Sequence, residues 1–307
     1  MRFLIVGAGG VGGYFGGRLI EKGEDVTFLV RQNRKTQLKT AGLVIKSSHG
    51  NFQTDVKAIC TGEEKKPFDV VIITVKAYHL AQVITDIAPY VGENTMIIPL
   101  VNGYIHYETL HQAFGKEKIL GGLCFIETTI NDQAEIVQTS NSHDFIFGEW
   151  DGSKTERVTL LAEHIRGTKF NSVLSEKIYS DVWNKYIFIA TMSGVTTLMR
   201  SPIGPIITDE NGQTVCKRLL AEIVLIVRDY DQTVQEDIAE LTLHKLQSIE
   251  FLMKSSMQRD MENNRNVEVE HFHGFLLNLA EKQGKDRNDF PILTTVYSNL
   301  KIYESLL

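Results

Sequence analysis

The chain opens with "RFLIVGAGGVGGYFGGRLIEKG", and the glycines at 7, 9 and 12 constrain its fold more than any other feature of the 307 residues. Four apolar residues run into G-x-G-x-x-G, and a helical pattern begins before the motif ends, so a strand must turn tightly into a helix. In that setting Gly7 permits the turn, Gly9 lets backbone approach a pyrophosphate, and Gly12 lets helix and strand pack closely. The helix then presents free N–H groups and the positive end of its dipole to phosphate. The plain alternative is a tight glycine turn that holds nothing. The next strand, "DVTFLV", follows in register and argues against it.

Domains that hold NAD place a carboxylate about 20 residues after the loop, at the end of the second strand, to accept from the ribose hydroxyls. Here that place holds Arg31, with Arg34 and Lys35 close behind, while Glu24 and Asp25 precede the strand and lie at its wrong end. A guanidinium suits a phosphate and leaves an unphosphorylated ribose without an acceptor, so the expected coenzyme is NADP(H). The competing reading is a solvated basic start to a surface helix. Lys76 ends "FDVVIITVK" and Asn102, with Gly103, ends "TMIIPLVNG". Both fall at the carboxyl edge of a parallel sheet, where doubly wound folds bind ligands. The expected cofactor-binding set is therefore Gly7, Gly9, Gly12, Arg31, Lys76 and Asn102, with Asn102 placed to reach nicotinamide or substrate. Lys76 and Asn102 read equally well as ordinary polar residues at strand ends.

The first half alternates "RFLIV", "DVTFLV", "LVIKS", "FDVVIITVK", "TMIIPLVNG" and "KILGGLCFIETTI" with helical stretches, which implies one parallel sheet with right-handed crossovers. "AEIVQTS" and "HDFIFGEWDG" read as two strands pairing antiparallel at the sheet edge. From about Ser175 long helical patterns take over. The expected class is α/β: a Rossmann-type doubly wound domain over 1–175, then an all-helical substrate and catalytic domain over 176–307.

A formal charge of −6, from 32 basic and 38 acidic residues, carries no excess to hold nucleic acid. Cys60, Cys124 and Cys216 are far apart and odd in number, against a disulfide framework or cysteine-rich zinc site. The opening apolar run is too short for a signal-peptide core, and no stretch reaches the roughly 18 apolar residues of a membrane span. A soluble cytoplasmic protein is expected, with a homodimer as the assembly if the helical half turns an apolar face to a second copy.

In "DVWNKYIFIATMSGV", Lys185 lies on a helix that is apolar nearly all round. A buried ammonium is costly unless it is paired or its pKa falls, and either outcome suits an acid catalyst. The bland reading is a stem that packs while its ammonium reaches solvent. Further on, "KSSMQRDMENNRNVEVEHFHGFLLNLA" offers Ser255, Ser256, Glu268 and Glu270. Its plain reading is a polar loop before a helix with an acidic first turn. His271 and His273, two apart on a helix, face different ways, and without H-E-x-x-H no metal is expected.

At these residues the chain resembles the ketopantoate reductase (2-dehydropantoate 2-reductase) family from end to end: "GAGGVG", Arg31, "TVKAY", "LVNG", "VWNKYIF" and "SSMQRDMENNRNVEVEHFHGFL". The last two are the more specific. The resemblance implies a Rossmann domain and a helical domain with substrate in the cleft between them, and NADPH-dependent reduction of ketopantoate to D-pantoate in pantothenate synthesis. It implies that Lys185 polarises the ketone oxygen and donates a proton to it. Glu268 would pair with that lysine or hold the substrate hydroxyl, a role Glu270 could exchange with it. Ser256, twelve residues before Glu268, would bind the substrate carboxylate, and Asn102 would sit at nicotinamide and substrate. The best-studied members carry asparagines four and eight residues after the lysine, where this chain has Ile189 and Ser193. That departure leaves the chemistry intact and opens a second reading, a branched 2-keto acid such as ketoisocaproate. A non-catalytic NADPH-binding sensor is a third, against which Lys185 on its apolar helix argues. The 6-phosphogluconate and 3-hydroxyisobutyrate dehydrogenase group also joins such domains, but has no counterpart of the Ser256 to Glu268 segment.

Overall fold

The computed structural model describes residues 1–63 and 66–307. The strands and helices run β1 (Arg2–Val6), α1 (Gly10–Lys22), β2 (Asp25–Leu29), α2 (Gln32–Ala41), β3 (Leu43–Ser47), β4 (Phe52–Thr54), β5 (Lys57–Ile59), β6 (Phe68–Ile73), α3 (Leu80–Ile87), β7 (Val91–Pro99) and α4 (Ile105–Phe114). They continue with β8 (Gly121–Ile130), β9 (Ile136–Gly148), α5 (Glu156–Ile165) and β10 (Asn171–Leu174). Then come α6 (Ile178–Met199), α7 (Ile203–Thr208), α8 (Glu210–Tyr230), α9 (Ile238–Ser248), α10 (Ser256–Glu262), α11 (Phe275–Lys282) and α12 (Pro291–Ser305). The chain divides into two compact units, one of Met1–Val101 with His106–Tyr179 and one of Asn102–Ile105 with Ser180–Leu307.

In the first unit a parallel sheet runs in the order β5-β2-β1-β6-β7. Phe3, Leu4 and Ile5 are fully buried, as a strand covered on both faces requires. The chain winds outward from β1 through β2 to β5, then returns to β6 on the other side of β1. The order therefore reverses between β1 and β6, and such a switch point opens a crevice at the carboxyl ends of the strands. There Thr74 donates its N–H to Val6 O at 3.1 Å and its hydroxyl to the same oxygen at 2.8 Å, tying the two strand ends together.

A second sheet, β10-β9-β3-β4 with β8 also paired to β9, corrects the expectation of one extended sheet. "LVIKS" pairs parallel with β9 and antiparallel with β4, and "GGLCFIETTI" pairs antiparallel with β9. The two strands expected from "AEIVQTS" and "HDFIFGEWDG" are one continuous 13-residue strand, β9. The polar link between them serves the ladder. Where the β8–β9 register shifts between Ile126 and Thr128, Ser140 Oγ accepts the Glu127 N–H at 2.9 Å.

The second sheet explains a helix that propensity disfavours, since α1 carries five glycines. A Cβ at Gly16 would lie 2.6 Å from Phe28 Cζ of the first sheet, and one at Gly17 would lie 2.6 Å from Ile45 Cδ1 of the second. Gly12 likewise faces Ile5, and Gly13 faces Ile136. Two glycine stripes four residues apart thus let both sheets close on the one helix.

The second unit is helical, built around the 22-residue α6. Buried threonines on α6 return their hydroxyls to its own carbonyls, Thr191 to Ile187 O at 2.8 Å and Thr197 to Ser193 O at 2.6 Å. Polar side chains can therefore sit inside an apolar unit. Among the described residues no helix is long and apolar enough to cross a membrane.

In the first unit His143 stacks on His49 with ring centroids 3.7 Å apart, and its Nδ1 lies 2.7 Å from Tyr14 Oη. Burial, and then the neighbouring His49 and Arg18, push the His143 pKa down. A lowered folded-state pKa means that the unfolded chain binds the extra proton. The stabilisation is then complete above the ordinary histidine value near 6.5 and is lost as pH falls below it. His143→Asn, which keeps an acceptor for Tyr14, should show a stability deficit that shrinks between pH 7 and pH 5. Urea unfolding across that range checks this, and a deficit independent of pH would contradict it.

Candidate active site

At the switch point Gly7 has φ of +94°, a conformation glycine adopts without strain. A Cβ at Gly12 would overlap the Gly7 carbonyl oxygen and Thr74 Oγ1, so the helix must approach the strand as closely as only glycine allows. Gly9 differs: a Cβ there would meet no protein atom within 4 Å. Protein packing therefore does not demand glycine at position 9. Gly9 is the N-cap of α1 and has no side chain to accept from the first-turn N–H groups, and no acidic residue stands in that turn. The loop thus fits the phosphates of a dinucleotide on its donors and on the room beside them.

The three cations after β2 have separate roles. Lys35 is paired with Glu63, so its charge is taken. Arg34 turns inward, donating from Nε to Ala8 O at 3.0 Å and from Nη1 to Ala134 O at 3.2 Å. It braces the glycine loop against the β8–β9 turn, a role spacing did not reveal. Arg31 is exposed at the carboxyl end of β2, with Nη2 3.4 Å from His79 Nδ1. Lys76, partly exposed, is the N-cap of the 3₁₀ turn Ala77–His79 that follows β6.

Asn102, Lys185, Ser256 and Glu268 all belong to the second unit. Lys185 is only 7 % exposed on α6, and Glu268 is also 7 % exposed. Glu270 is half exposed, holding Lys301 at 2.9 Å and accepting from Tyr297 Oη at 3.0 Å. The two acids that spacing left interchangeable are therefore distinguished by burial. Ser256 begins α10 and is partly exposed. The buried Ser255 before it caps that helix, accepting from Gln258 N at 3.0 Å and sharing a 2.8 Å hydrogen bond with Thr196 Oγ1 of α6.

Residues Glu270–Gly274 form a π-helical turn, an irregularity frequent at functional sites. It is bonded to α6 at two points within the turn and a half that follows Lys185. Tyr186 Oη donates to Phe272 O at 2.6 Å, and His273 Nε2 lies 3.0 Å from Ala190 O. Burial pushes His273 down to about 4, so it is neutral near pH 7 and its Nε2–H donates that bond. Burial also lowers His271, against the opposing charges of Glu268 and Glu270. Among the described residues no cluster of His, Cys, Asp or Glu is arranged to hold a metal ion.

Two family models match the chain, "Ketopantoate reductase PanE/ApbA" over residues 3–152 and "Ketopantoate reductase PanE/ApbA C terminal" over 177–304. The chain belongs to the ketopantoate reductase family. It is 48 % identical over 305 residues to the uncharacterized oxidoreductase YkpB of Bacillus subtilis, covering 99 % of both chains. The crystal structure of 2-dehydropantoate 2-reductase from Geobacter metallireducens matches with a TM-score of 0.86 at 25 % identity, covering 98 % of this chain and 99 % of that one. D-mandelate dehydrogenase, in a ternary structure with NADH and anilino(oxo)acetate, shares the fold with a TM-score of 0.89 at 19 % identity, covering 99 % of this chain and 98 % of that one. This oxidoreductase family thus accounts for both halves of the chain.

The packing around α1 separates two uses of glycine. Gly12→Ala should cost about 2–3 kcal/mol in unfolding free energy, and Gly9→Ala less than about 1 kcal/mol. Gly9→Ala should nonetheless weaken coenzyme binding at least as much. Urea denaturation and fluorescence titration with NADPH measure the two; equal stability losses would contradict the assignment.

Proposed function

We propose that this protein is an NADPH-dependent 2-keto acid reductase that converts ketopantoate to D-pantoate. The observation that carries the reading is the buried Lys185 on α6, in the same helical unit as the buried Glu268 and as Asn102, within a chain of this family.

NADPH, when bound, supplies a hydride to the carbonyl carbon. The residues suited to hold it are Gly7, Gly9 and Gly12 through backbone, Arg31 at the 2′-phosphate, and Lys76 at the carboxyl edge of the sheet. Lys185 holds a proton at Nζ, hydrogen-bonds the ketone oxygen and gives it that proton as negative charge develops there. One 2-keto acid, one NADPH and one proton become one 2-hydroxy acid and NADP⁺, after which Lys185 recovers its proton from water. Burial keeps the ammonium out of competition with solvent and so raises the value of its charge to the oxygen. Glu268 orients the lysine or the product hydroxyl, Ser256 donates to the substrate carboxylate, and the Asn102 amide aligns the substrate.

A second reading has its own support. Ile189, one helical turn beyond Lys185, is partly buried, and Ser193, a further turn along, is buried. An isoleucine offers a substrate no hydrogen bond and favours an apolar branch, such as that of ketoisocaproate.

Steady-state NADPH oxidation with the two acids side by side tests both readings. Ketopantoate should give the higher kcat/KM, and Lys185→Ala should lower kcat about 10²- to 10⁴-fold. A ketoisocaproate preference would select the second reading. No oxidation with either acid, despite NADPH binding, would overturn both.

A further inference from the structure

We propose that Tyr104 is a positioning residue that fixes Asn102 to the lysine-bearing helix; the inference rests on the reading of Asn102 and Lys185 as groups that act on substrate. Val101 is the last residue of the sheet-bearing unit before the chain crosses, and the four residues Asn102–Ile105 pack with the helices instead. Two contacts hold them there. Gly103 has φ of +105°, and a Cβ on it would stand 3.1 Å from His271 O, so its backbone lies on the π-helical turn. Tyr104 then lays its ring on Trp183 of α6, with centroids 4.0 Å apart and planes 16° from parallel.

Tyr104 is only 8 % exposed, and Trp183 is fully buried. Phe275 of α11 stacks on Tyr104 at 6.0 Å, and Tyr230 of α8 meets its edge at 6.4 Å. Three helices therefore clamp one ring, and the clamp sits two residues from Asn102 on one side and two from Lys185 on the other. An aromatic ring in such a box has few rotamers, so the Asn102 amide is held in a fixed relation to α6 before any ligand arrives. Such preorganisation matters because a misplacement of about 1 Å in a group that aligns the reactants costs a reaction on the order of 10²-fold.

The test compares Tyr104→Ala and Tyr104→Phe with wild type in three measurements: 2-keto acid kinetics, NADPH affinity by fluorescence, and amide hydrogen exchange of the peptide spanning residues 100–106. Tyr104→Ala should lower kcat about 10²-fold. It should leave the NADPH dissociation constant within about twofold, because the glycine loop, Arg31 and Lys76, which carry the phosphate contacts, belong to the first unit, and should speed exchange at Asn102–Ile105 at least about tenfold. Tyr104→Phe keeps the flat ring and should stay within about fivefold of wild type in rate. A kcat for Tyr104→Ala within threefold of wild type, a Tyr104→Phe as impaired as Tyr104→Ala, or unchanged exchange would each overturn the proposal. Faster exchange in Tyr104→Ala alongside a wild type that reduces neither keto acid would uphold the anchoring and overturn the keto-acid reading instead.

Discussion

The first unit depends on the close approach of α1 to β1. Gly12 brings the helix against the Gly7 carbonyl and Thr74, and this contact aims the α1 N-terminus at the point where β1 and β6 part. The glycines that make the approach possible also weaken the helix, and two sheets closing on it supply the burial that offsets the loss. The same packing fixes the positions of Arg31, which follows β2, and Lys76, which follows β6, since both strands flank β1 in one parallel ladder.

The second unit meets the opposite difficulty, a charge inside an apolar helix. Lys185 is buried on α6, and the segment carrying Glu268 runs into a π-helical turn bonded to that helix at Tyr186 and Ala190. His273 is kept neutral by burial. Asn102 belongs to this unit although it follows a strand of the other.

Much of this was legible in the sequence. The glycine spacing after a short apolar run marked the strand–turn–helix, and the shift from alternating runs to long helical patterns marked the two kinds of architecture. The second sheet was not legible, because β3 and β8 carry the same β-branched pattern as the strands of the first, and only pairing partners distinguish them. The polar residues 139–142 looked like a link because a ladder irregularity satisfied by Ser140 has the composition of a loop. Arg34 and Lys35 could not be separated from Arg31 by spacing, since their partners Ala8, Ala134 and Glu63 are distant in the chain. Glu268 and Glu270 share a composition and differ only in burial, which depends on contacts with elements far along the sequence.

The central proposal is that the first unit binds NADPH, with Arg31 as the group that reads the 2′-phosphate. The most direct measurement is the dissociation constant of NADPH and of NADH for the wild type and for Arg31→Ala, at constant ionic strength. Loss of a charge-assisted hydrogen bond worth about 1.5–3 kcal/mol predicts NADPH binding weakened roughly 10- to 100-fold, with NADH binding changed less than about threefold. Equal effects on both coenzymes, or none on either, would contradict the account.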